Sequence, residues 1–136
     1  MLKLMAGYSQ TPLVKKLGLK EGYKLVLINQ PDYYFNLLGD LPDVRLADEN
    51  EQADFLHFFT KDIKELEEQF PVLKSRMKKD GTLWVSWPKK ASKVPTTVDE
   101  SLVRATGLDA GLVDVKICAV DEVWSGLKFM YRTKDR

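Results

Sequence analysis

Three continuous apolar runs constrain this chain most. They are "YKLVLIN" (Tyr23–Asn29), "ADFLHFFT" (Ala53–Thr60) and "GTLWVSWP" (Gly81–Pro88). Each has the pattern of a strand buried on both faces, and Gly22 and Pro31 bound the first one. Stretches with helical features lie before, between and after them. Residues Thr11–Leu17 form a short helix in which Thr11 is the N-cap, Pro12 takes the first helical position and Gly18 stops it. "PDYYFNLLG" gives a second short helix, with Pro31 in its first turn and Gly39 at a left-handed end. In "KDIKELEEQFPVLKSRMKKDG", Ile63, Leu66, Phe70, Leu73 and Met77 recur at helical spacing. Pro71 inside that pattern predicts a kink or break near Phe70. "TVDESLVRATGLDAGL" is a further helix, with Thr97 as N-cap and Glu100 completing a capping box.

"LVDVKICAVD" and "WSGLKFMYR" alternate apolar and polar residues and close the chain as an antiparallel hairpin. Strands alternating with helices and ending in a hairpin predict an α/β protein with a mostly parallel sheet. "DVRLAD" is a short strand candidate too close to "ADFLHFFT" for a parallel crossover between neighbours. It is expected either as a frayed edge piece or as an antiparallel strand.

With 136 residues the chain reads as one domain spanning 1–136. Its 21 Lys+Arg against 20 Asp+Glu leave a net charge of +1, which argues against nucleic acid and membrane surfaces as partners. No apolar run approaches a membrane span, and the start lacks a secretory pattern, so a cytoplasmic location is expected. One cysteine and one histidine exclude a disulfide, a cysteine-based metal cage and a Cys–His nucleophile. Cys118 reads as a buried, inert thiol. His57 shares a strand face with Phe55 and Phe59 and reads as a buried neutral imidazole with one nitrogen satisfied, rather than as a catalytic base.

At the residue level the chain resembles a family of small bacterial proteins of unknown function with a shortened methyltransferase-like fold. The shared stretches are "GYSxTPLxKKLG" (Gly7–Gly18), "LWVSWPKKAS" (Leu83–Ser92), "GLVDVKICAVDEVWSGLKF" (Gly111–Phe129) and the closing "R". The resemblance implies a three-layer Rossmann-like sheet with reduced methyltransferase-like topology. Methyltransferases hold S-adenosylmethionine at a glycine-rich turn after the first strand, where the backbone approaches the ligand closely. Here Asn29, Gln30 and Pro31 fill that turn, and no glycine lies between Gly22 and Gly39. The acidic residue that would hold the ribose falls on Asp48 or Glu49. The parent cofactor site therefore reads as lost or remodelled, and no cofactor is expected.

Open α/β sheets place ligands outside the carboxyl ends of their strands. Those ends read Asn29–Asp32, Thr60–Asp62 and Ser86–Lys90, and the hairpin connection Asp121–Ser125 can turn toward the same rim. Trp87 and Trp124 offer stacking surfaces, while Lys89 and Lys90 suit a phosphate or carboxylate. Asn29 and Ser9 are the next candidates, Ser9 through "GYSQTP" ahead of the first helix. The competing reading has both indoles simply capping the core. "SWPK" matches a Ser-x-x-Lys spacing, but Ser86 ends a strand, so the required helical turn is missing. Asp121 and Glu122 point apart if that segment is extended, and Lys74–Lys79 reads as a solvated helix end. No catalytic dyad and no metal site emerge. The expected function is binding of a small anionic or nucleotide-like ligand at the rim. The alternatives are a non-catalytic protein-interaction module on a degenerate methyltransferase-like fold and an S-adenosylmethionine-dependent methyltransferase.

Overall fold

The structure is a computed structural model that describes residues 11–136. The strands are β1 (Lys24–Ile28), β2 (Arg45–Leu46), β3 (Ala53–Phe59), β4 (Met77–Pro88), β5 (Leu112–Ala119) and β6 (Trp124–Tyr131). They form one sheet in the order β2-β1-β3-β4-β6-β5. β2, β1, β3 and β4 run parallel, and β6 is antiparallel to both β4 and β5. The helices are α1 (Leu13–Leu17), α2 (Tyr34–Leu38), α3 (Ile63–Ser75) and α4 (Glu100–Asp109).

The two sheet faces bury separate cores. One gathers Leu66, Phe70 and Leu73 of α3 and Val103 of α4 over Leu56, Leu83, Leu127 and Phe129. The other gathers Leu17 of α1 and Tyr34 and Leu38 of α2 over Leu25, Phe55, Phe59 and Trp84. Gly107 lets α4 lie directly on β6, because a Cβ there would fall 2.0 Å from the Phe129 ring.

"DVRLAD" supplies an edge piece of two residues, pairing parallel with Lys24 and Leu25 at the start of β1. The following chain passes the amino end of β1 and begins β3 on its other side. The short connection is therefore no obstacle, since β2 and β3 are not neighbours. Beside so short a strand, only Leu25 and Val26 of β1 are fully buried, fewer than the expected run.

Several boundaries differ from expectation. Helix α3 runs unbroken through Pro71. Pro71 deprives the Glu67 carbonyl of its helical donor, and both residues lie on the exposed side of the helix, where water is at hand. Met77 belongs to β4, which therefore starts before Gly81, and the Lys74–Lys79 run spans a helix end and a strand start. The cap of α4 is Asp99, whose side chain accepts from Leu102 N at 2.9 Å. Thr97 instead serves α3, its hydroxyl accepting from Ile63 N at 2.9 Å. The cap position of α1 falls on Pro12, one residue after Thr11, and Gly18 ends that helix at φ 84°. Gly39 takes a positive φ of 73°, with ψ −130° rather than left-handed helical geometry.

Candidate functional site

The chain leaves β1 through α2 to reach β2 on one side, and later places β3 on the other side of β1. Helices α2 and α3 lie on opposite faces of the sheet. The gap between the carboxyl ends of β1 and β3 is thus a topological switch point, where an open sheet leaves a crevice. A crevice of about 630 Å³ opens there, lined among others by Asn29, Asp32, Tyr33, Thr60, Glu65 and Trp124.

Asn29 turns the chain out of β1 at φ 59°, a left-handed geometry that asparagine tolerates better than most residues. Its Nδ2 donates to Phe59 O and to Glu65 Oε2, both at 3.1 Å. Thr60 Oγ1 donates to the other Glu65 oxygen at 2.7 Å. The Glu65 carboxylate, one turn into α3, is therefore fixed over the strand ends. Tyr33, just ahead of α2 and 40% exposed, forms the opposite wall. Burial, followed by the hydrogen bond and charge of Asp121, raises its phenol above the ordinary range. Trp124 meets Phe59 edge-on at 5.0 Å and is only 8% exposed. Among the described residues lining the crevice, Asp32, Asp62 and Glu65 face the single cation Lys61.

The expected single pocket around both indoles is not formed. Trp87 pairs with Ser125 and Pro88 with Trp124, so the indoles sit one residue apart in register and point to opposite faces. Trp87 is 5% exposed and belongs to the α3–α4 core. Its edge reaches a second cleft of about 540 Å³ together with Lys89, Lys90, Asp99 and Glu100. The two lysines are offset there by two carboxylates. Lys89 also borders a cleft of about 680 Å³ that adjoins the crevice through Tyr33 and Val123 and includes Lys16, Asp121 and Glu122. Ser9 lies outside the described residues. Asp48 and Glu49 do not line the crevice. Asp121 is a turn residue whose Oδ1 accepts from Val123 N and Trp124 N, each at 2.8 Å.

His57 is fully buried, as expected, but both of its nitrogens are satisfied. Nδ1 shares a hydrogen bond with Tyr34 Oη at 2.8 Å and Nε2 with Ser86 Oγ at 2.7 Å. Burial pushes the imidazole down to about 3, so it is neutral. A Ser–His pair at this distance in an open site would suggest an activated nucleophile. Here Ser86 is also fully buried, and a Cβ on Gly126 would already lie 3.0 Å from its hydroxyl. The chain of three side chains is therefore structural. Cys118 is half-buried rather than buried, and desolvation raises its thiol above the ordinary range, with Lys16 and Lys116 opposing the shift. Among the described residues no group of His, Cys, Asp and Glu could hold a metal ion, and no helix is long and apolar enough to cross a membrane.

Solved structures share this architecture. A SAM-dependent methyltransferase from Aquifex aeolicus matches with a TM-score of 0.62 at 18% identity, over 88% of each chain. A ribosomal protein L11 methylase from Lactobacillus delbrueckii subsp. bulgaricus matches at 0.56 and 11% identity, over 88% of this chain and 75% of that one. Magnesium protoporphyrin IX methyltransferase from Synechocystis, solved with bound SAM, matches at 0.57 and 12%, over 88% and 74%. This chain has a methyltransferase-like Rossmann fold. No family model and no curated protein matches it.

The methyltransferase-like fold directs attention to the turn after β1. Its backbone adopts the positive φ that glycine favours, yet it carries a side chain. Asn29 bonds Phe59 and Glu65 across the crevice floor, where a glycine would leave space for a ligand. The turn thus carries a side chain where a glycine-rich turn would present bare backbone. Sequence reasoning missed Glu65 and Tyr33. Glu65 was signalled only by standing one turn into the helix that follows a rim strand.

Proposed function

We propose that the chain binds a nucleoside-like small molecule in the crevice between the carboxyl ends of β1 and β3. The observation that carries this reading is the Glu65 carboxylate, held by Asn29 and Thr60 at a crevice walled by Tyr33 and Trp124. A flat ring would stack on the exposed Tyr33, and fixed carboxylates accept hydrogen bonds from hydroxyl or amino groups. Among the described lining residues, three carboxylates against one lysine repel a phosphate placed inside, which narrows the ligand from anionic toward nucleoside-like. In the adjoining cleft Lys16 and Lys89 are matched by Asp121 and Glu122, so an anionic tail would gain little there either. The concavity of the site favours a small molecule over a flat protein contact.

Thermal shift with adenosine, AMP and S-adenosylmethionine tests this. Adenosine is expected to raise Tm more than AMP does, and Tyr33→Ala and Glu65→Gln to reduce the rise while leaving the fold intact. A panel in which no nucleoside raises Tm contradicts the proposal. The fold itself supports a second reading, a methyltransferase. Conversion of bound S-adenosylmethionine to S-adenosylhomocysteine would establish that reading instead.

A further inference from the structure

Leu27, His57, Trp84, Lys128 and Lys116 form one row across the sheet, in register from β1 to β5. Helix α1 covers this row as far as Trp84, whose Nε1 donates to Leu17 O at 2.9 Å. Beyond α1 the row ends in two lysines directly opposite each other, a pairing that destabilises a sheet unless something offsets it. The Lys128 ammonium lies 3.9 Å from the point a Cβ would occupy on Gly18, and Lys16 and Lys20 flank that glycine in the chain. Among the described residues none of these four lysines makes an ion pair. Residues 1–10 contain no Asp or Glu that could supply one. Burial, then the charges of Lys116 and Lys20, pull Lys128 below the ordinary lysine range. Four positive charges thus gather on one face of the hairpin with no ion pair among the described residues, Lys16 alone also bordering the cleft of Asp121 and Glu122.

The strand that carries Lys116 is also the edge of the sheet. Among the described residues no strand pairs with its outer side. On the face away from the lysines, Ile117 stands opposite Leu127 and is 47% exposed, and Val115 at the bulge is exposed to the same extent. The acidic residue of this strand, Asp114, is already held by Arg104 Nε at 2.9 Å. An edge strand with unpaired backbone groups, a cationic face and an apolar face is complementary to one kind of partner.

We propose that β5 is a docking edge for an extended acidic segment of another protein. The segment would add as a strand along Leu112–Ala119. Alternate side chains of a strand point to opposite faces. A carboxylate in the row of Lys116 would meet that lysine at the edge, with Lys128, Lys16 and Lys20 behind it on the same face, and an apolar side chain on the other face would meet Ile117. A second copy of this chain fits poorly, because pairing two β5 edges would bring the two lysine clusters together.

The test uses a fluorescent, N-acetylated peptide of alternating Glu and Val, with binding followed by anisotropy at low salt. The protein should bind it and gain amide protection along β5. Lys20→Glu with Lys116→Glu, both exposed sites, should weaken binding by about tenfold or more. Circular dichroism would confirm that this variant stays folded. A peptide with alternate amides N-methylated keeps its charge but cannot join the ladder, and should bind about tenfold more weakly. Four results would overturn the proposal: no binding, equal binding of the N-methylated peptide, an unchanged affinity in the double variant, or a single-stranded oligonucleotide that outcompetes the peptide for the same lysines.

Discussion

The two faces of the sheet are built on different principles. The α3–α4 face is held by close apolar packing, with Phe70 meeting Phe129 edge-on at 5.5 Å and Gly107 leaving no room for a Cβ. The α1–α2 face is fastened by buried hydrogen bonds, from Tyr34 through His57 to Ser86 and from Trp84 to Leu17. Packing of the first kind depends on shape alone. Bonds of the second kind fix the position of each helix relative to the strands, and α2 carries Tyr33 to the crevice on its amino end. The clefts at the rim follow the same division. The one at Trp87 belongs to the packed face and balances its own charges. The crevice at Asn29 lies at the switch between the faces and keeps an excess of carboxylates.

The difference can be broken from either side. On the packed face, Gly107→Val should be the most damaging substitution, costing about 3 kcal/mol or more in denaturant unfolding. The Phe129 ring occupies the space that the new side chain needs. A variant as stable as the parent would show that α4 does not lie on β6 as described.

On the hydrogen-bonded face the sharper probe is acid. His57 has a folded pKa of about 3 against an ordinary 6.5, so between those values the unfolded chain binds the extra proton. Its contribution is complete above about pH 6.5 and is lost as pH falls. Between pH 6.5 and 5 the expected loss is about 2 kcal/mol. The Glu51 carboxylate, held well below its usual range first by Arg45, adds its own loss only at lower pH, below its ordinary 4.5. His57→Gln should flatten the profile above pH 5. An unchanged profile would mean that another group titrates there. Trp84→Phe should cost about 2 kcal/mol, from the donor lost to the buried Leu17 O and the space left by the smaller ring.

Periodicity, together with the glycine and proline boundaries and the short last connection, made the α/β alternation, the hairpin and the buried setting of His57 legible. Details that depend on which strand lies beside which were not legible. Trp87 and Trp124 look like partners in sequence because both stand at strand ends. The β4–β6 register, offset by one residue, sends them to opposite faces. Thr97 fits a capping box by spacing, yet its hydroxyl is used by the neighbouring helix α3, a tertiary choice with no local signature. The missing glycine after β1 was visible. That Asn29 would adopt a positive φ there and reach Glu65 was not, because Glu65 arrives from a different element.

We propose that the switch-point crevice, and not the cleft at Trp87, takes the ligand. Nitrogen-15 spectra recorded while adenosine is titrated test it most directly, since the Asn29 side-chain amide reports from the crevice floor. Asn29, Tyr33, Thr60 and Val123 are expected to shift together while Lys90 and Ser101 stay still. Shifts centred on Trp87, Lys90 and Ser101, or none at all, would contradict it.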